Sequence, residues 1–205
     1  MKKFLASVIG AIVIFSVVAF TTFKTETYKA DVKESKIGWL AKKVTGQHNG
    51  YVTLKEGTLQ LENGKIVGGE FTMDMTTISC EDIKDAEMNA KLVNHLKSDD
   101  FFSVEKNPSS KFVVKKVKYT GKKGNDDTYN ITGDLTIKGI TNSITFDAKT
   151  TSKGDKITAA AKFTFDRLLW KIEYRSGKIF ESIGDKMIYD DVEMSLNMVL
   201  TKEYR

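Results

Sequence analysis

Two histidines, one cysteine and a few acidic pairs are the residues of this chain with types suited to chemistry. His48 lies in Thr45-Gly46-Gln47-His48-Asn49-Gly50, a polar stretch ahead of an apolar strand. An imidazole there could serve as a general base, but no serine or cysteine nucleophile motif accompanies it. A hydrogen bond at a strand end or turn accounts for it better. His95 stands beside Leu96 near the end of a helical pattern, where a cationic side chain interacts favourably with the helix dipole. Cys80 sits beside a helix start, which favours a thiolate. With no second cysteine it has no redox partner, and a partly buried inert thiol is the simpler reading. Two histidines and one cysteine do not make a conventional zinc site, so no metal is expected.

The acidic pairs Asp99-Asp100 and Asp190-Asp191 are equally unpromising as acid/base dyads. Neighbouring strand residues point to opposite faces, so Asp190 and Asp191 cannot easily cooperate. Lys115-Lys116 and Lys122-Lys123 read as solvated charges. The sequence holds no P-loop, no GxGxxG, no HExxH and no GxSxG. No catalytic residue emerges, and the chain is not expected to be an enzyme. The densest polar-aromatic group is Asp166-Arg167 with Trp170, Tyr174 and Arg175. It reads either as a salt bridge backed by aromatics or as a polar mouth holding a ligand headgroup.

The elements that position these residues are mostly strands. Phe71-Thr72-Met73-Asp74-Met75, Ile131 to Ile137 and Ile144 to Ala148 alternate apolar and polar residues. Ile157, Ala159, Ala161, Phe163 and Phe165 share one parity, and Val192, Met194, Leu196, Met198 and Leu200 share another. Period two gives each strand one apolar and one wet face, the mark of an antiparallel sheet. Asn63-Gly64, Lys123 to Asp126 and Lys153-Gly154-Asp155 mark turns, and Thr141-Asn142 separates two further runs. About eight to ten strands result, near 26–33, 36–44, 49–56, 58–62, 65–75, 111–120, 128–138, 142–151, 156–166 and 189–202. Long one-sided strands in sequence order make an up-and-down meander, and closing it hides its edges. The fold class is all-β, an antiparallel up-and-down β-barrel. One helix is expected near 81–97 across a barrel end. Ser79 and Asp82 fit a capping pattern ahead of Ile83, Ala86, Ala90, Val93 and Leu96.

With 205 residues, 40% apolar and 29% charged, the composition is that of one globular domain. The formal net charge of +5 is spread along the chain, so nucleic-acid binding, which needs a concentrated basic stripe, is not expected. Lys2-Lys3 followed by the uncharged run Phe4–Phe20 has the form of a secretory signal peptide, with Val17-Val18-Ala19 as the cleavage site. Residues 1–19 are thus read as leader and 24–205 as the folded domain. An uncleaved anchor is the rival reading, because the run approaches spanning length. After cleavage no membrane span is expected.

The inward parity of the strands carries Phe71, Met73, Met75, Phe112, Val114, Ile131, Leu135, Ile137, Ile144, Phe146, Phe163, Phe165, Met194, Leu196 and Met198, with no charge among them. A barrel of about eight strands is either filled by side chains or holds one small ligand. Gly133, Ala148, Ala159 and Ala161 fall on the inward parity where filling calls for bulk. The methionines suit an irregular apolar guest as well as ordinary core packing. An apolar tunnel suits hydrocarbon, each buried methylene contributing about 0.8 kcal/mol. Arg167 and Trp170 are expected at the mouth, the arginine laying its stem on the apolar wall.

The stretch Thr132-Gly133-Asp134-Leu135-Thr136-Ile137-Lys138-Gly139-Ile140-Thr141 resembles a signature of the YceI-like family. Trp39, His48-Asn49-Gly50, Phe71 to Ile78, His95 to Phe102, Phe165-Asp166-Arg167 with Trp170, and Ile183 to Asp190 agree with it in order. The resemblance covers roughly residues 26–202. It implies an extended lipocalin-like barrel, exported to the bacterial periplasm or beyond, that binds a polyisoprenoid or isoprenoid-quinone-like lipid. No catalysis and no cofactor other than the bound lipid are implied. The ligand-binding residues expected on this reading are the inward set above, Val114 and Ile131 excepted, together with Trp39, Ala159, Ala161, Arg167 and Trp170. A long-chain isoprenoid lipid is the expected partner, and a homodimer is compatible with it. The alternatives are a secreted enzyme acting on an isoprenoid lipid and a filled barrel serving as an interaction module.

Overall fold

The computed structural model of the protein describes residues 24–204, so the expected leader at 1–19 lies outside the described residues. Nine strands form the molecule: β1 (Thr25–Ala30), β2 (Lys36–Lys43), β3 (Gly46–Glu62), β4 (Lys65–Asp74), β5 (Ser109–Lys123), β6 (Asp126–Ile137), β7 (Ile140–Lys153), β8 (Lys156–Asp166) and β9 (Ile188–Lys202). From β3 to β9 each strand pairs antiparallel with its successor, and β2 closes the ring by pairing with both β9 and β3. The result is a closed eight-position antiparallel barrel, as the alternation of the sequence requires. Among the described residues no helix is long and apolar enough to cross a membrane.

One barrel position is shared. β1 pairs with Thr58–Glu62 of β3 and Leu200–Lys202 of β9, whereas β2 pairs with Gly46–Val52 and with the earlier part of β9. The two are one strand interrupted by the turn at Asp31–Ser35, whose carboxylate at Asp31 accepts from the Lys33 and Glu34 amides.

Three sequence expectations shift. The runs at 49–56 and 58–62 are a single strand. A bulge between Leu54 and Glu56 moves the inward parity from Val52 and Leu54 to Leu59 and Leu61, which reads as a break in a strictly alternating pattern. The β6–β7 hairpin turns at Lys138-Gly139 rather than at Thr141-Asn142. Both turn residues have positive φ, 52° and 71°, the geometry that matches the twist of flanking strands. The helix, α1 (Ala86–Lys97), starts five residues later than expected. Asp85 caps it by accepting from the Met88 amide, whereas Ser79 and Asp82 spend their oxygens on β3 and its neighbours. Its inward stripe is Asn89, Leu92, Val93 and Leu96, and Ala86 and Ala90 are exposed. Leu96 packs with Val52, Ile78, Phe101 and Trp170, so the helix does lie over one barrel end.

The segment before α1 is stitched to β3. The Ser79 amide donates to the Tyr51 carbonyl (2.9 Å) and the Glu81 amide to the Asn49 carbonyl (2.8 Å). Gly50 permits this approach, because a Cβ there would collide with the Ser79 carbonyl. Gly50→Ala is expected to lower stability by about 1–3 kcal/mol, the usual cost of overpacking, as read by urea unfolding. An unchanged midpoint would show that the segment is not held as described.

Candidate functional site

The apolar side chains divide into two buried groups with a hollow between them. At the end closed by β1, Tyr28, Leu59, Leu61, Tyr129, Ile157 and Leu200 pack tightly. At the end under α1, Val52, Met75, Leu96, Phe101, Trp170 and Ile172 do the same. Met73, Phe112, Ile144, Phe163 and Met194 pack against both groups. These mid-barrel residues point inward yet are only half-buried, whereas Leu200 and Trp170 at the two ends are 0% exposed. The surface they retain faces an internal cavity of about 200 Å³ whose walls are almost wholly apolar.

Along β9 the lining runs from Ile188 to Met198. That is about 33 Å of strand, or about 25 Å along an axis to which barrel strands tilt by about 40°. The cavity is therefore long and narrow. Phe146 and Phe163 stack across one wall with centroids 4.6 Å apart, and Phe112 leans on Phe146 at 5.5 Å. Ala148 and Ala161 face each other across the β7–β8 pair, and Ala159 faces Thr150, so the wall is thin there. Gly133 does not add to the hollow, because the ring of Phe112 occupies the space its side chain would take.

Trp39, Phe71, Met73, Met75, Phe112, Leu135, Ile137, Ile144, Phe146, Ala159, Ala161, Phe163, Phe165, Arg167, Met194, Leu196 and Met198 all line the cavity. Trp170 does not. It lies at the α1 end, its Nε1 donating to the Leu135 carbonyl (3.0 Å) and its ring edge-on to Phe165. Met75 belongs to a short 3-10 turn after β4, with the Ser110 hydroxyl 3.2 Å from its sulfur. Sequence reasoning missed Ile37 and Val52, which share the inward parity of their strands, and Phe101 and Phe102, which come from a loop without periodicity, whereas Val114, Ile131 and Val192 line the cavity on the parity read from the sequence.

Arg167 departs from the expected mouth. β8 ends at Asp166, whose carboxylate caps a 3-10 turn over Arg167–Trp170. Arg167 is folded inward at 3% exposure. Its Nε, Nη1 and Nη2 donate to the carbonyls of Tyr189 (3.2 Å), Ile172 (2.6 Å) and Ile188 (3.2 Å). Nη2 also lies 3.2 Å from Asp190 Oδ1. That contact is an ion pair without hydrogen-bond geometry, so Oδ1 is compensated by charge alone. Burial lowers the guanidinium from its ordinary value, and Asp190 and then Asp166 work against that fall. Lys178 bridges the outer oxygens of Asp166 and Asp190. The group is a buried clamp joining β8, β9 and the following loop, with three of the five guanidinium N–H groups committed to backbone carbonyls. Trp170 does not stack on it. Tyr174 instead joins His95 and Phe101, and Arg175 lies over its ring.

The remaining polar candidates lie outside the hollow. His95 pairs with Asp100 at 2.8 Å beside α1. His48 pairs with Asp82 at 2.8 Å near the start of β3, beyond the cavity, with Cys80 next to them. Neither histidine faces the cavity lining.

This architecture has known relatives. A UPF0312 protein of Shewanella denitrificans is 32% identical over 162 residues, covering 75% of each chain. A UPF0312 protein of Pseudomonas putida (strain W619) is 35% identical over 130 residues, and the match spans 63% of that relative's length. Among solved structures, a polyisoprenoid binding domain from Saccharophagus degradans aligns with a TM-score of 0.64 at 11% identity, over 86% of this chain and 98% of that one. BcnA of Burkholderia cenocepacia aligns with 0.62 at 20% identity, over 83% and 98%. At those identities the likeness is one of fold. The YceI-like domain pattern matches residues 28–200, from β1 into the end of β9, and on that match the chain belongs to the YceI-like family.

Proposed function

We propose that the protein is exported and holds a polyisoprenoid or isoprenoid-quinone-like lipid inside the barrel, carrying or sequestering it in the periplasm. The observation that carries this reading is the long apolar cavity whose inward side chains keep surface that a filled barrel would bury. Only a hydrocarbon guest makes good use of such a wall, since each methylene taken from water adds about 0.8 kcal/mol. The basic and apolar leader supports export. The Saccharophagus neighbour, described as polyisoprenoid binding, supports the class of guest.

One buried donor bears on the guest's polar end. Trp39 lines the cavity, and its Nε1 is buried without a hydrogen-bond partner. A buried N–H left unpaired is costly, and a lipid oxygen that drew the indole a little toward the cavity would remove that cost. An oxygen-bearing lipid therefore fits better than a pure hydrocarbon.

Native mass spectrometry of the mature protein purified from its own host tests the reading. A co-purifying long hydrocarbon-rich mass is expected. Protein that is empty as isolated and takes up no isoprenoid lipid from detergent would overturn it. Trp39→Phe is expected to weaken an oxygen-bearing isoprenoid by about 2- to 12-fold, the worth of one net hydrogen bond, while leaving a hydrocarbon of equal length unaffected. Equal losses for both would assign the tryptophan to packing.

A further inference from the structure

We propose that His48, Cys80 and Asp82 form a binding site for one divalent borderline-soft metal ion, of the zinc or cobalt class, at the α1 end of the barrel on the side of β3 that carries Gly50 and Val52, none of the three lining the lipid cavity. The sequence shows no metal motif, because the three residues are split between a strand and a loop beyond two further elements. The fold assembles them. Residues 79–82 run back antiparallel along β3, with the Ser79 amide bonded to the Tyr51 carbonyl and the Glu81 amide to the Asn49 carbonyl. In that register Asp82 stands opposite His48 and Cys80 stands opposite Gly50. Alternation then puts His48, Cys80 and Asp82 on one side.

The donor atoms are already gathered. His48 Nδ1, Cys80 Sγ and an Asp82 oxygen all lie within 4.8 Å of one another. Nδ1 is 2.8 Å from Asp82 Oδ2, and Sγ is 3.3 Å from Asp82 Oδ1. Around a tetrahedral zinc, with Zn–S of about 2.3 Å and Zn–N and Zn–O of about 2.0 Å, such donors sit about 3.3–3.6 Å apart. The two contacts to Asp82 come within about half an ångström of that spacing, and His48 Nδ1 and Cys80 Sγ, within 4.8 Å of each other, must draw together around the ion. The supports are in place as well. The Asn49 amide donates to Asp82 Oδ1 (2.9 Å), orienting the carboxylate as an outer partner orients a ligand. The Asn89 side chain donates to the carbonyls of Cys80 (2.7 Å) and Ile83 (3.0 Å), tying the loop to α1. Cys80 is buried, while the side chains of His48 and Asp82 are 28% and 30% exposed. An ion can thus enter from solvent and keep a water as its fourth ligand.

The chemistry balances. The Asp82 carboxylate accepts from the Asn49 amide and Cys80 Sγ at Oδ1 and lies against His48 Nδ1 at Oδ2. The carboxylate is the acceptor for both neighbours, so the protons between them sit on Nδ1 and Sγ. The Cys80 thiol donates to Asp82 Oδ1 and so holds its proton in the absence of metal. A divalent ion replaces both protons at the centre of the cluster. The imidazole of a neutral ring shifts its proton to Nε2, the thiol releases one to solvent, and the S–M, N–M and O–M contacts form with no change of oxidation state.

The test uses the reduced mature protein with Co²⁺ and Zn²⁺ as probes. Co²⁺ is expected to bind one per chain with a near-ultraviolet thiolate-to-cobalt absorption band, and Zn²⁺ to displace it with release of about one proton. Cys80→Ser and His48→Ala should each abolish the band or weaken Zn²⁺ binding by about a hundredfold. His95→Ala, which removes the other histidine and its pair with Asp100, should change nothing. Absence of the thiolate band in the unsubstituted protein overturns the proposal without any variant. Binding lost in His95→Ala but kept in Cys80→Ser overturns it too. Melting curves without metal show that each variant is folded.

Discussion

Arg167→Ala is expected to lower the stability of the lipid-free protein by about 3–5 kcal/mol, the penalty for breaking a buried ion pair from one side. The loss strands four groups at once. The carbonyls of Tyr189, Ile172 and Ile188 lose their donors, and Asp190, 9% exposed, loses its nearer cation. Lys178 reaches only the other Asp190 oxygen, at 3.4 Å, from a side chain 64% exposed, so its compensation is weak. The double change Arg167→Met with Asp190→Leu removes the stranded charge and should recover part of the loss, although three carbonyls stay unpaired. Urea unfolding checks both. Because its hydrogen bonds all go to backbone carbonyls, the loss should be the same with lipid bound. A fall in lipid affinity at unchanged stability would return Arg167 to the headgroup role that its sequence position suggested.

Ala161→Phe and Ala159→Phe are expected to weaken isoprenoid binding by about a hundredfold, with stability changed by about 1 kcal/mol or less. Ala161 faces Ala148 and Leu196, and Ala159 faces Thr150 and Met198, so the added ring has no neighbour to displace except the guest. Excluding three or four methylenes at about 0.8 kcal/mol each gives about 3 kcal/mol. A filled core would respond the other way, with about 1–3 kcal/mol of strain and no binding phenotype. Paired lipid titrations and melting curves on the same variants separate the two.

The barrel was legible because its strands bury one face only. Residues such as Phe163 and Phe165, or Met194 and Leu196, announce their side by parity, and parity is a local property. What parity cannot carry is a change of phase. The bulge at Lys55 in β3 hides one strand as two, and the short turn after Asp166 tucks Trp170 beneath the cavity floor rather than into its wall. Arg167 was placed on the inward side correctly, but its partners are backbone carbonyls on residues 172, 188 and 189. Backbone acceptors leave no trace in side-chain types. Asp85 hid its role for a related reason, since Ser79 and Asp82 offered an equally good capping pattern and tertiary bonds to β3 decided between them. The His48, Cys80 and Asp82 cluster was invisible for want of spacing, being set by how a loop lies along a strand.

The shared strand position has a consequence for the order of assembly. From β3 to β9 every hairpin joins neighbours in the chain, but the seam pairs Ile37 with Leu196 and Tyr28 with Lys202. Contacts between such distant residues carry a large loop-closure entropy and form late. Until β9 arrives, β2 and β8 stand as two open edges of a curved ladder, and the apolar stripe inside is a trough instead of a tunnel. If the chain is exported as proposed, a long guest would then have sideways entry along the whole trough, and zipping of the last strand would enclose what lies in it.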